Sequence, residues 1–431
     1  MSSHHDRSSV RRPVGSALRR AVLTGAVLAL IGVRSVLAGV VGPPIPIWVE
    51  PEVSGFPAVA FSLQHEEFLV VWHNVQGPNT WDVYARRVAM DGTPRSWFAV
   101  MSAGGELHYD PVVAFNSLRD EYFVCWTADA SMNAEIACTW VAWDGSSIGL
   151  PAMVVSDVGT QTWPRIVFNP HHDEYVVAYT NYWTGLASDV AVQRVAGDGT
   201  LLSWASIASG SNDRSYVDVA FNADLDEYLF LYHHASGASQ YQVRGKVAPS
   251  DLAGVSVAPE IDLCPFDPAW YPTASWSPEG YLTVWYAEYL SPDWLTSARH
   301  VDNAGVPQGP AGGFPISDPV GAVILQGVQD ATWAPPVGHV VAFECGDPIS
   351  PADICARAVS PHVERALGPQ LTAAGGTPSQ LKPAVACAPW GVCLVVYQED
   401  DDIVARILRF HAFADGFDET GDTSYWSAVV P

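Results

Sequence analysis

The chain has 431 residues, of which 21 are Lys or Arg and 46 are Asp or Glu, so its net charge at pH 7 is −25. A surface this acidic repels nucleic acids and anionic membranes, and we expect neither as a partner. Charged residues make up only 16% of the sequence, whereas 35 Gly and 33 Pro indicate a chain with many turns.

The first 38 residues have the pattern of a secretory signal peptide. Met1–Arg20 carries five Arg and one Asp, and the apolar run Ala21–Val33 follows it. Val36 and Ala38 are small residues at −3 and −1 of a cleavage site, which predicts a cut after Ala38. A membrane anchor is the alternative, but 13 apolar residues are fewer than the roughly 20 that span a bilayer. Cleavage leaves 15 basic and 45 acidic residues, a net charge of −30, and no later segment is apolar for long enough to span.

Seven similar stretches follow, each with an apolar segment, a polar turn and a second apolar segment that ends in an aromatic residue. One of them is VAFNSLRDEYFVCW, Val113–Trp126. The final aromatic residues, in chain order, are Trp72, Trp126, Tyr179, Tyr232, Trp285, Phe343 and Tyr397. They are separated by 54, 53, 53, 53, 58 and 54 residues. A near-constant period of this size indicates a repeat architecture, and we number the units repeat 1 to repeat 7.

Each repeat is predicted to contain four strands. The two apolar segments are the first and second strands; an alternating third strand follows, as in Asp82–Val88, and a fourth comes after a Gly turn, as in Ser96–Ser102. No repeat contains a helical period of ten residues. The pattern predicts an all-β, seven-bladed β-propeller of four-stranded antiparallel blades. An array of two-sheet sandwiches is the alternative, but it does not favour one uniform unit throughout.

The two ends of the repeat region predict how the ring closes. Repeat 7 has no clear fourth strand after Leu408, and Ile45–Pro51 precedes repeat 1 where a fourth strand would stand. An N-terminal strand that completes the last blade removes two exposed sheet edges. We therefore expect one domain over residues 39–413, an acidic tail over residues 414–431, and a monomer.

The charged cluster Arg119, Asp120 and Glu121 raises the question of whether the turn is a catalytic site. Asn116 and Asp120 have counterparts in other repeats, which cannot all share one active site. We therefore interpret the cluster as a hairpin turn whose charges keep that face solvated. The Asp-Gly turns at residues 91–92, 144–145 and 198–199 are predicted hairpins as well. The stretches that follow the first and third of them resemble the Asp-box of sialidases, but lack its Ser before the Asp.

Six of the seven cysteines fall into local pairs, as expected in an oxidising compartment. Cys125 and Cys138 lie on neighbouring strands of repeat 2, Cys345 and Cys355 on those of repeat 6, and Cys387 and Cys393 flank a hairpin of repeat 7. Sequence alone does not fix the connectivity. Cys264 is left over and is expected to be buried, and the spacings do not match a zinc site.

Connections between second and third strands, and between successive repeats, share one face of a propeller, which we call the variable-loop face. Aromatic residues interleaved with His and carboxylates on such loops are typical of a sugar site, because rings stack on apolar sugar faces. The alternative is that they pack between blades. The candidate ligand-binding residues are His73, Trp81, Trp163, Trp183, His233, Trp270 and Trp294.

Three glutamates are the candidates for catalysis. Glu288, Glu344 and Glu399 follow the second strands of repeats 5, 6 and 7, at points we take as equivalent, and a glycosidase needs two carboxyl groups about 5 to 9.5 Å apart. The acidic run at residues 399–402 could ligate Ca²⁺, but it lacks a calcium-loop spacing and is better explained as a solvated turn. We expect no metal and no cofactor.

The C-terminal segment breaks the repeat pattern. It resembles the short tail F-x-D-G-F-E-S-G-D-T-S-x-W-S of many secreted bacterial proteins, with Asp418 in place of Glu and Thr420 in place of Ser. The matching residues are Asp415, Gly416, Phe417, Gly421, Asp422, Thr423, Ser424, Trp426 and Ser427. The resemblance implies export or surface sorting of a bacterial exoprotein. The repeat region is similar to the divergent propellers of secreted bacterial proteins, a likeness of fold alone.

These patterns favour a secreted or cell-surface, non-enzymatic propeller that binds a glycan or protein through its variable-loop face. A carbohydrate-active hydrolase or lyase that uses Glu288, Glu344 or Glu399 is the first alternative. A structural surface protein is the second.

Overall fold

The structure is a computed structural model that describes residues 36–412, except 103, 131–132, 157, 184–186, 238–239, 267, 289–293, 319–328 and 347–350. Residues 1–35 of the predicted signal peptide and the whole tail lie outside the described residues. These described residues belong to one compact unit, Arg34–Pro431. They form 28 strands and a single short 3₁₀ helix at Val255–Val257, so the predicted all-β class is confirmed.

The strands occur in groups of four that follow the sequence repeats. An N-terminal strand comes first, β1 (Val36–Trp48). Repeats 1 and 2 contain β2 (Val53–Ser62), β3 (Glu67–Gly77), β4 (Thr80–Ala89), β5 (Pro94–Met101), β6 (Leu107–Asn116), β7 (Glu121–Asp129), β8 (Glu135–Ala142) and β9 (Ala152–Val155). Repeats 3 and 4 contain β10 (Thr160–Asn169), β11 (Glu174–Tyr182), β12 (Asp189–Ala196), β13 (Leu201–Ala208), β14 (Arg214–Asn222), β15 (Glu227–Gly237), β16 (Gln240–Pro249) and β17 (Ile261–Cys264).

Repeats 5 to 7 complete the list. Repeat 5 contains β18 (Ala269–Ser277), β19 (Gly280–Glu288), β20 (Trp294–Val301) and β21 (Phe314–Pro315). Repeat 6 contains β22 (Gln329–Ala334), β23 (Gly338–Cys345), β24 (Asp353–Val359) and β25 (Ala366–Ala374). Repeat 7 contains β26 (Gln380–Cys387), β27 (Val392–Glu399) and β28 (Asp402–Ala412).

Within each group the strands pair with their neighbours in an antiparallel sheet. The groups of repeats 1 and 2 are joined by one parallel pair, Trp81 with Leu107. The first strand of each repeat contacts the first strand of the next, from β2 through β6, β10, β14, β18 and β22 to β26, and β26 contacts β2. The first strands therefore surround a common axis, and the later strands lie further out. This is the arrangement of a β-propeller.

The N-terminal strand closes the sheet of repeat 7, as predicted. β1 pairs with β28 in antiparallel register, with Val40 opposite Leu408 and Pro46 opposite Val404. The sheet order is β1-β28-β27-β26, so β1 takes the outer place that the fourth strand holds in other repeats. Because of this pairing, β1 belongs to a sheet and the outer edge of β28 is not left unpaired.

The hydrophobic core lies between successive sheets. On β3, for example, Phe68, Val70 and Trp72 face the sheet of repeat 7, whereas Leu69 and Val71 face repeat 2. Because side chains alternate across a strand and both faces are covered, second strands read as continuous apolar runs. The aromatic residue that ends each run is fully buried, which contributes roughly 1.5–3 kcal/mol per side chain.

All three predicted disulfides are present. Cys125–Cys138, Cys345–Cys355 and Cys387–Cys393 each join adjacent strands of one sheet. Cys264 is buried, as expected, with its Sγ 3.7 Å from the carbonyl oxygen of Phe266.

The Arg119–Glu121 cluster is a hairpin turn, as predicted, but its charges do more than attract water. Oδ1 of Asn116 accepts the backbone N–H groups of Leu118 and Arg119 at 2.9 and 3.0 Å and closes the turn. The Arg119 guanidinium reaches repeat 3, where its Nη2 lies 2.7 Å from Oδ2 of Asp173. The turn therefore binds its own repeat to the next.

The same contact recurs at neighbouring repeats. His65 of repeat 1 lies 2.6 Å from Asp120 of repeat 2, and His172 of repeat 3 lies 2.7 Å from Asp226 of repeat 4. We call the turns between first and second strands, together with those between third and fourth strands, the hairpin face. Side-chain hydrogen bonds across this face link consecutive repeats.

Candidate active site at the propeller axis

A bulge interrupts the first strand of six repeats near its N-terminal end. At each bulge one residue other than Gly has a left-handed φ of 50° to 58°, an uncommon conformation that often occurs at functional sites. These residues, which we call the bulge residues, are Phe56, Asp110, Trp163, Tyr216, Tyr271 and Lys382. In repeat 6 the equivalent residue, Val328, lies outside the described range. Since first strands surround the axis, the bulge residues form a ring around it.

Side chains from the preceding repeat hold the bulges in place. The backbone N–H of Trp163 donates to Oγ1 of Thr127 at 3.3 Å, and that of Tyr216 donates to Oγ1 of Thr180 at 3.1 Å. Each accepting residue directly follows the final aromatic of its second strand. His233 does the same for repeat 5, where its Nε2 accepts the N–H of Tyr271. This role requires a neutral ring, and burial lowers the pKa of His233 to about 3.

Glu344 is the carboxylate at this capping position. Its Oε1 accepts the backbone N–H of Lys382 at 2.8 Å. The side chain is only 5% exposed, and Oε2 is buried with no hydrogen-bond partner among the described residues. Burial raises the pKa of Glu344 to about 8, against the opposing effects of the Lys382 N–H and the Lys382 charge. A carboxyl group at this position is therefore largely protonated at neutral pH, and its Oε2–H is able to donate.

Asp110 lies in the same electrostatic environment. Burial raises its pKa to about 6, while the charges of Arg165 and Lys382 lower it. The side chain retains contact with solvent although protein atoms surround it. Burial lowers the pKa of Lys382, which Glu344 and Asp110 counteract, and its Nζ lies 3.7 Å from the ring centre of Phe56. Lys382 therefore connects the two carboxyl groups electrostatically.

Two further carboxylates line the axis at equivalent positions, two residues after the bulge. Oδ2 of Asp218 accepts Thr273 Oγ1–H at 2.8 Å and the Ala274 N–H at 2.9 Å. Oδ2 of Asp330 accepts the Val385 N–H at 2.8 Å. Burial raises the pKa of Asp330 to about 6 and also raises that of Asp218. Each of these carboxylates ties its first strand to the next one.

We define the axial cluster as the six ionisable residues around this site, Asp110, Arg165, Asp218, Asp330, Glu344 and Lys382. Arg165 and Asp218 form its closest charged pair, with Nε 3.9 Å from Oδ1. Five of these residues were not candidates from the sequence. A local signal was present, because Asp110 and Lys382 each precede a proline at the start of a first strand, as Phe56, Trp163 and Tyr271 do.

The structure brings four of the seven predicted ligand-binding residues close to the axis. Trp163 is a bulge residue, and His73 stacks on Phe56 with 5.5 Å between ring centres. His233 contacts Tyr271 at 5.6 Å, and Trp270 contacts the same ring edge-on at 6.2 Å.

The sequence predicted that His73 and His233 lie on loops. In the structure His73 lies inside β3 and His233 inside β15. They are buried, with 5% and 3% exposure, because these second strands continue beyond their final aromatic residues. Burial, followed by the charge of Lys382, lowers the pKa of His73 to about 4.

The other three predicted ligand-binding residues lie at the ends of strands. Trp81 stacks on His73 at 5.1 Å, and Nε1 of Trp183 donates to Asp189 at 2.9 Å. Trp294 begins β20, and its side chain is outside the described residues.

The three candidate glutamates are not equivalent, contrary to expectation. Glu344 lies one residue after its final aromatic, Glu399 two and Glu288 three. Adjacent residues on a strand face opposite sides, so Glu344 and Glu399 point in different directions. Oε1 of Glu399 accepts from Gln380 at 3.2 Å beside the turn at residues 400–401. The side chain of Glu288 lies outside the described residues.

Other features of the described residues lie away from the axis. Two grooves of about 500 and 720 Å³ contain Glu279 and His362 in one case and Arg95 and Trp97 in the other. Within the described part of the chain, no group of three His, Cys, Asp or Glu side chains is arranged to hold a metal ion. Nor does any helix there have the length and apolar character needed to cross a membrane.

Comparison with known proteins supports the fold. No protein-family model matches the chain, and no curated protein matches it. A structure of a protein of unknown function from Dyadobacter fermentans has a TM-score of 0.51 at 12% identity, over 86% of this chain and 99% of that one. An α-L-arabinanase of Penicillium chrysogenum with arabinobiose has a TM-score of 0.48 at 10% identity, over 86% and 98%. An α-L-arabinofuranosidase of Fusarium graminearum with arabinobiose scores 0.48 at 9%, over 85% and 98%.

Proposed function

We propose that this protein is a carbohydrate-active hydrolase whose active site is the axial cluster. The observation that carries the proposal is Glu344, a buried carboxyl group with a raised pKa whose Oε2 has no hydrogen-bond partner within the described part of the chain. The capping role at its position needs only an acceptor, which Thr127 and Thr180 supply as hydroxyl groups elsewhere. Burying an ionisable group where a neutral one suffices costs stability, and such groups cluster at functional sites.

In this proposal Glu344 is the general acid. Oε1 is held by the Lys382 N–H, so the proton resides on Oε2 and is donated to the oxygen of the leaving sugar. Asp110 is the second carboxylate, and it takes a proton from the attacking water as the glycosidic bond breaks. Arg165 and Lys382 favour its ionised form, so the two carboxyl groups differ in protonation, as acid–base pairs require. Asp218 and Asp330 are less suited, because Oδ2 of each already binds the next strand.

The test is turnover by wild-type protein and by Glu344→Gln on a panel of plant and bacterial polysaccharides, measured as new reducing ends. General acid catalysis is typically worth about 10²- to 10⁴-fold, so the variant should lose at least a hundredfold in kcat. The substitution suits the site, because repeat 7 already has a glutamine, Gln398, at the equivalent position. Glu399→Gln is the matched control and should retain activity. Undiminished turnover by Glu344→Gln would exclude the mechanism.

A binding protein without turnover is the second candidate, and the aromatic residues beside the axial cluster favour it. Trp163, Tyr216 and Tyr271 are bulge residues of three consecutive repeats, and Tyr216 contacts both of the others. Saccharide binding with no turnover on the whole panel, and with equal affinity in wild type and Glu344→Gln, would replace the hydrolase by this function.

We also propose that each sequence repeat forms one blade, giving seven blades in a monomer. The regular order of the first strands and the exchange of β1 into the last sheet support this number. An experimental structure counts the blades directly, and light scattering gives the mass in solution.

We further propose that the protein is exported and that its signal peptide is cut after Ala38. Three disulfides are consistent with an oxidising compartment. In the structure β1 begins at Val36, so cleavage there removes its first three residues, which pair with residues 410–412. N-terminal sequencing of the exported protein should therefore begin at Gly39. A first residue well inside β1, beyond Val41, would contradict the proposed site.

A further inference from the structure

The ring of bulge residues has one continuous run of aromatic residues and another part that holds both charged bulge residues. Repeats 3, 4 and 5 contribute Trp163, Tyr216 and Tyr271, which we call the aromatic arc. On the other side, repeats 7 and 2 contribute Lys382 and Asp110, and repeat 1 between them contributes Phe56, whose ring centre lies 3.7 Å from Nζ of Lys382. A ring built from equivalent positions of one repeat has no structural need for this division. It therefore suggests a ligand with an apolar side and a polar side.

Contacts within the protein hold the aromatic arc rigidly. Trp163 and Tyr216 lie 3.6 Å apart between ring centres at 66°, and Tyr216 and Tyr271 lie 5.0 Å apart at 87°. His233 supports both tyrosines, with ring centres 4.9 and 5.6 Å away. All three rings of the arc are partly exposed. Rings fixed before binding lose little conformational entropy when a sugar stacks on them.

The charges of the axial cluster restrict which sugars can enter. Four carboxyl groups face two cations, Arg165 and Lys382. Lys382 interacts with Asp110 and Glu344, and Arg165 lowers the pKa of Asp110, Asp218 and Asp330. Each cation is thus shared between at least two carboxyl groups of the protein. Among the described residues of the cluster, no cation remains in excess to bind a carboxylate of the ligand.

We propose that the aromatic arc binds the apolar face of an uncharged sugar ring and that the axial cluster excludes saccharides built from uronic acids. The inference deepens the proposed function by naming the substrate class. It does not depend on catalysis, because stacking and charge exclusion operate in binding alone. A uronate would place its carboxylate near the carboxylates of Asp110, Asp218 and Asp330, and like charges at close range are unfavourable.

The test is an equilibrium binding measurement on Glu344→Gln, which prevents turnover. The probes are tetrasaccharides of β-1,4-linked glucose, mannose, xylose and galactose, an α-1,5-linked arabinotetraose, and tetramers of glucuronic and galacturonic acid. At least one neutral tetramer should bind, and the uronate tetramers should bind at least tenfold more weakly. Tyr216→Ala and Trp163→Ala should each weaken neutral binding roughly tenfold, since one aromatic contact is lost.

Two controls separate ligand binding from structural effects. Tyr216→Phe retains the ring and should keep the affinity within about twofold. A variant that disturbs the fold would instead bind more weakly and also show a lower midpoint of thermal unfolding. Trp97→Ala and Trp204→Ala remove exposed tryptophans on fourth strands and should leave the affinity unchanged.

The outcomes distinguish the inference from the proposed function. Uronate tetramers that bind as well as neutral ones, binding insensitive to Tyr216→Ala and Trp163→Ala, or no binding to any neutral tetramer overturns the inference. Turnover confined to uronate polymers would overturn it and leave the hydrolase standing. Arc-dependent binding of neutral sugars without any turnover would uphold it and remove the hydrolase.

Discussion

The hairpin face and the axial cluster are built from similar acidic and basic side chains, yet their environments differ. On the hairpin face, Asp173 is about one-third exposed and pairs with Arg119 of the preceding repeat. At the axis, Glu344 is buried, and only one of its two oxygens has a hydrogen-bond partner among the described residues. A carboxyl group therefore has its hydrogen bonds satisfied at one end of the blade and, among the described residues, only partly satisfied at the other.

The difference follows from what repeats and what does not. Turn residues recur, so each hydrogen-bonded pair on the hairpin face has counterparts that link other consecutive repeats in the same way. The bulge residues change identity from repeat to repeat while keeping one backbone conformation. A constant backbone with variable side chains is the way in which one scaffold supports many sites.

The strongest test of this comparison exchanges one carboxylate on each face for its amide. Asp110→Asn should reduce kcat on the active polysaccharide at least a hundredfold, because an amide cannot accept a proton from water. Asp173→Asn should leave kcat unchanged, since its partners lie on the other face. Both are measured by reducing-end release, with circular dichroism to verify folding. Equal losses in both variants would mean that the faces do not differ in function.

Removing one of the hydrogen-bonded pairs on the hairpin face should reduce stability without changing the function of the axial cluster. Although burial acts to raise it, hydrogen bonds from His172, Ser250 and Asn169 lower the pKa of Asp226 to about 2. Asp226→Ala should therefore lower the free energy of unfolding by about 1–2 kcal/mol at pH 7. The difference in stability between wild type and variant should shrink as the pH falls from about 4 to 2, because the Asp226 carboxylate of the wild-type protein then takes up a proton. Denaturant titration at both pH values measures it, and a change in KM would contradict the separation of faces.

The axial carboxyl group should have the opposite pH signature. The pKa of Glu344 is raised to about 8, so the folded protein retains a proton that the unfolded chain has lost. Wild-type stability should therefore decline as the pH rises from about 4.5 to 8. Glu344→Gln removes this decline, so it should be more stable than wild type at pH 8.5 and nearly equal at pH 4. Parallel stability curves for the two proteins would show that the carboxyl group is not protonated in the fold.

A buried histidine should contribute a separate pH signature in the acid range. The folded-state pKa of His73 is lowered to about 4, so the unfolded chain binds a proton first as the pH falls below about 6.5. His73→Gln, the residue that repeat 7 has at Gln398, should reduce the loss of stability between pH 6.5 and 4. Thermal unfolding at these two values is the measurement. A loss as large as in wild type would assign the acid sensitivity to other groups.

The sequence allowed the prediction of Glu344 but not of its partners. Glu344 follows an aromatic at the end of a strong apolar run, so its strand and approximate face were readable. Asp110 and Lys382 are 272 residues apart in the chain, and nothing in either local stretch indicates the other. Their encounter depends on ring closure, which places repeats 7 and 2 on either side of repeat 1.

The burial of His73 and His233 was also beyond the sequence. Both follow an aromatic at the expected end of a strand, and polar residues there usually mark a loop. For His233, the bulge of the next repeat supplies a partner, because the backbone N–H of Tyr271 donates to its Nε2. The need for that hydrogen bond becomes visible only once the first strands are in contact.

The sequence by itself determined the repeat, the strand order, the closing N-terminal strand, the local grouping of six cysteines and the turns. The closing strand follows from the missing fourth strand of repeat 7. The other features depend on alternation, glycine turns and short separations, which are local properties of the chain. Tertiary structure alone decided which ionisable side chains pair across the hairpin face and which belong to the axial cluster. The physical reason is that burial and electrostatic coupling depend on distances between repeats, and those distances are set only when the ring closes.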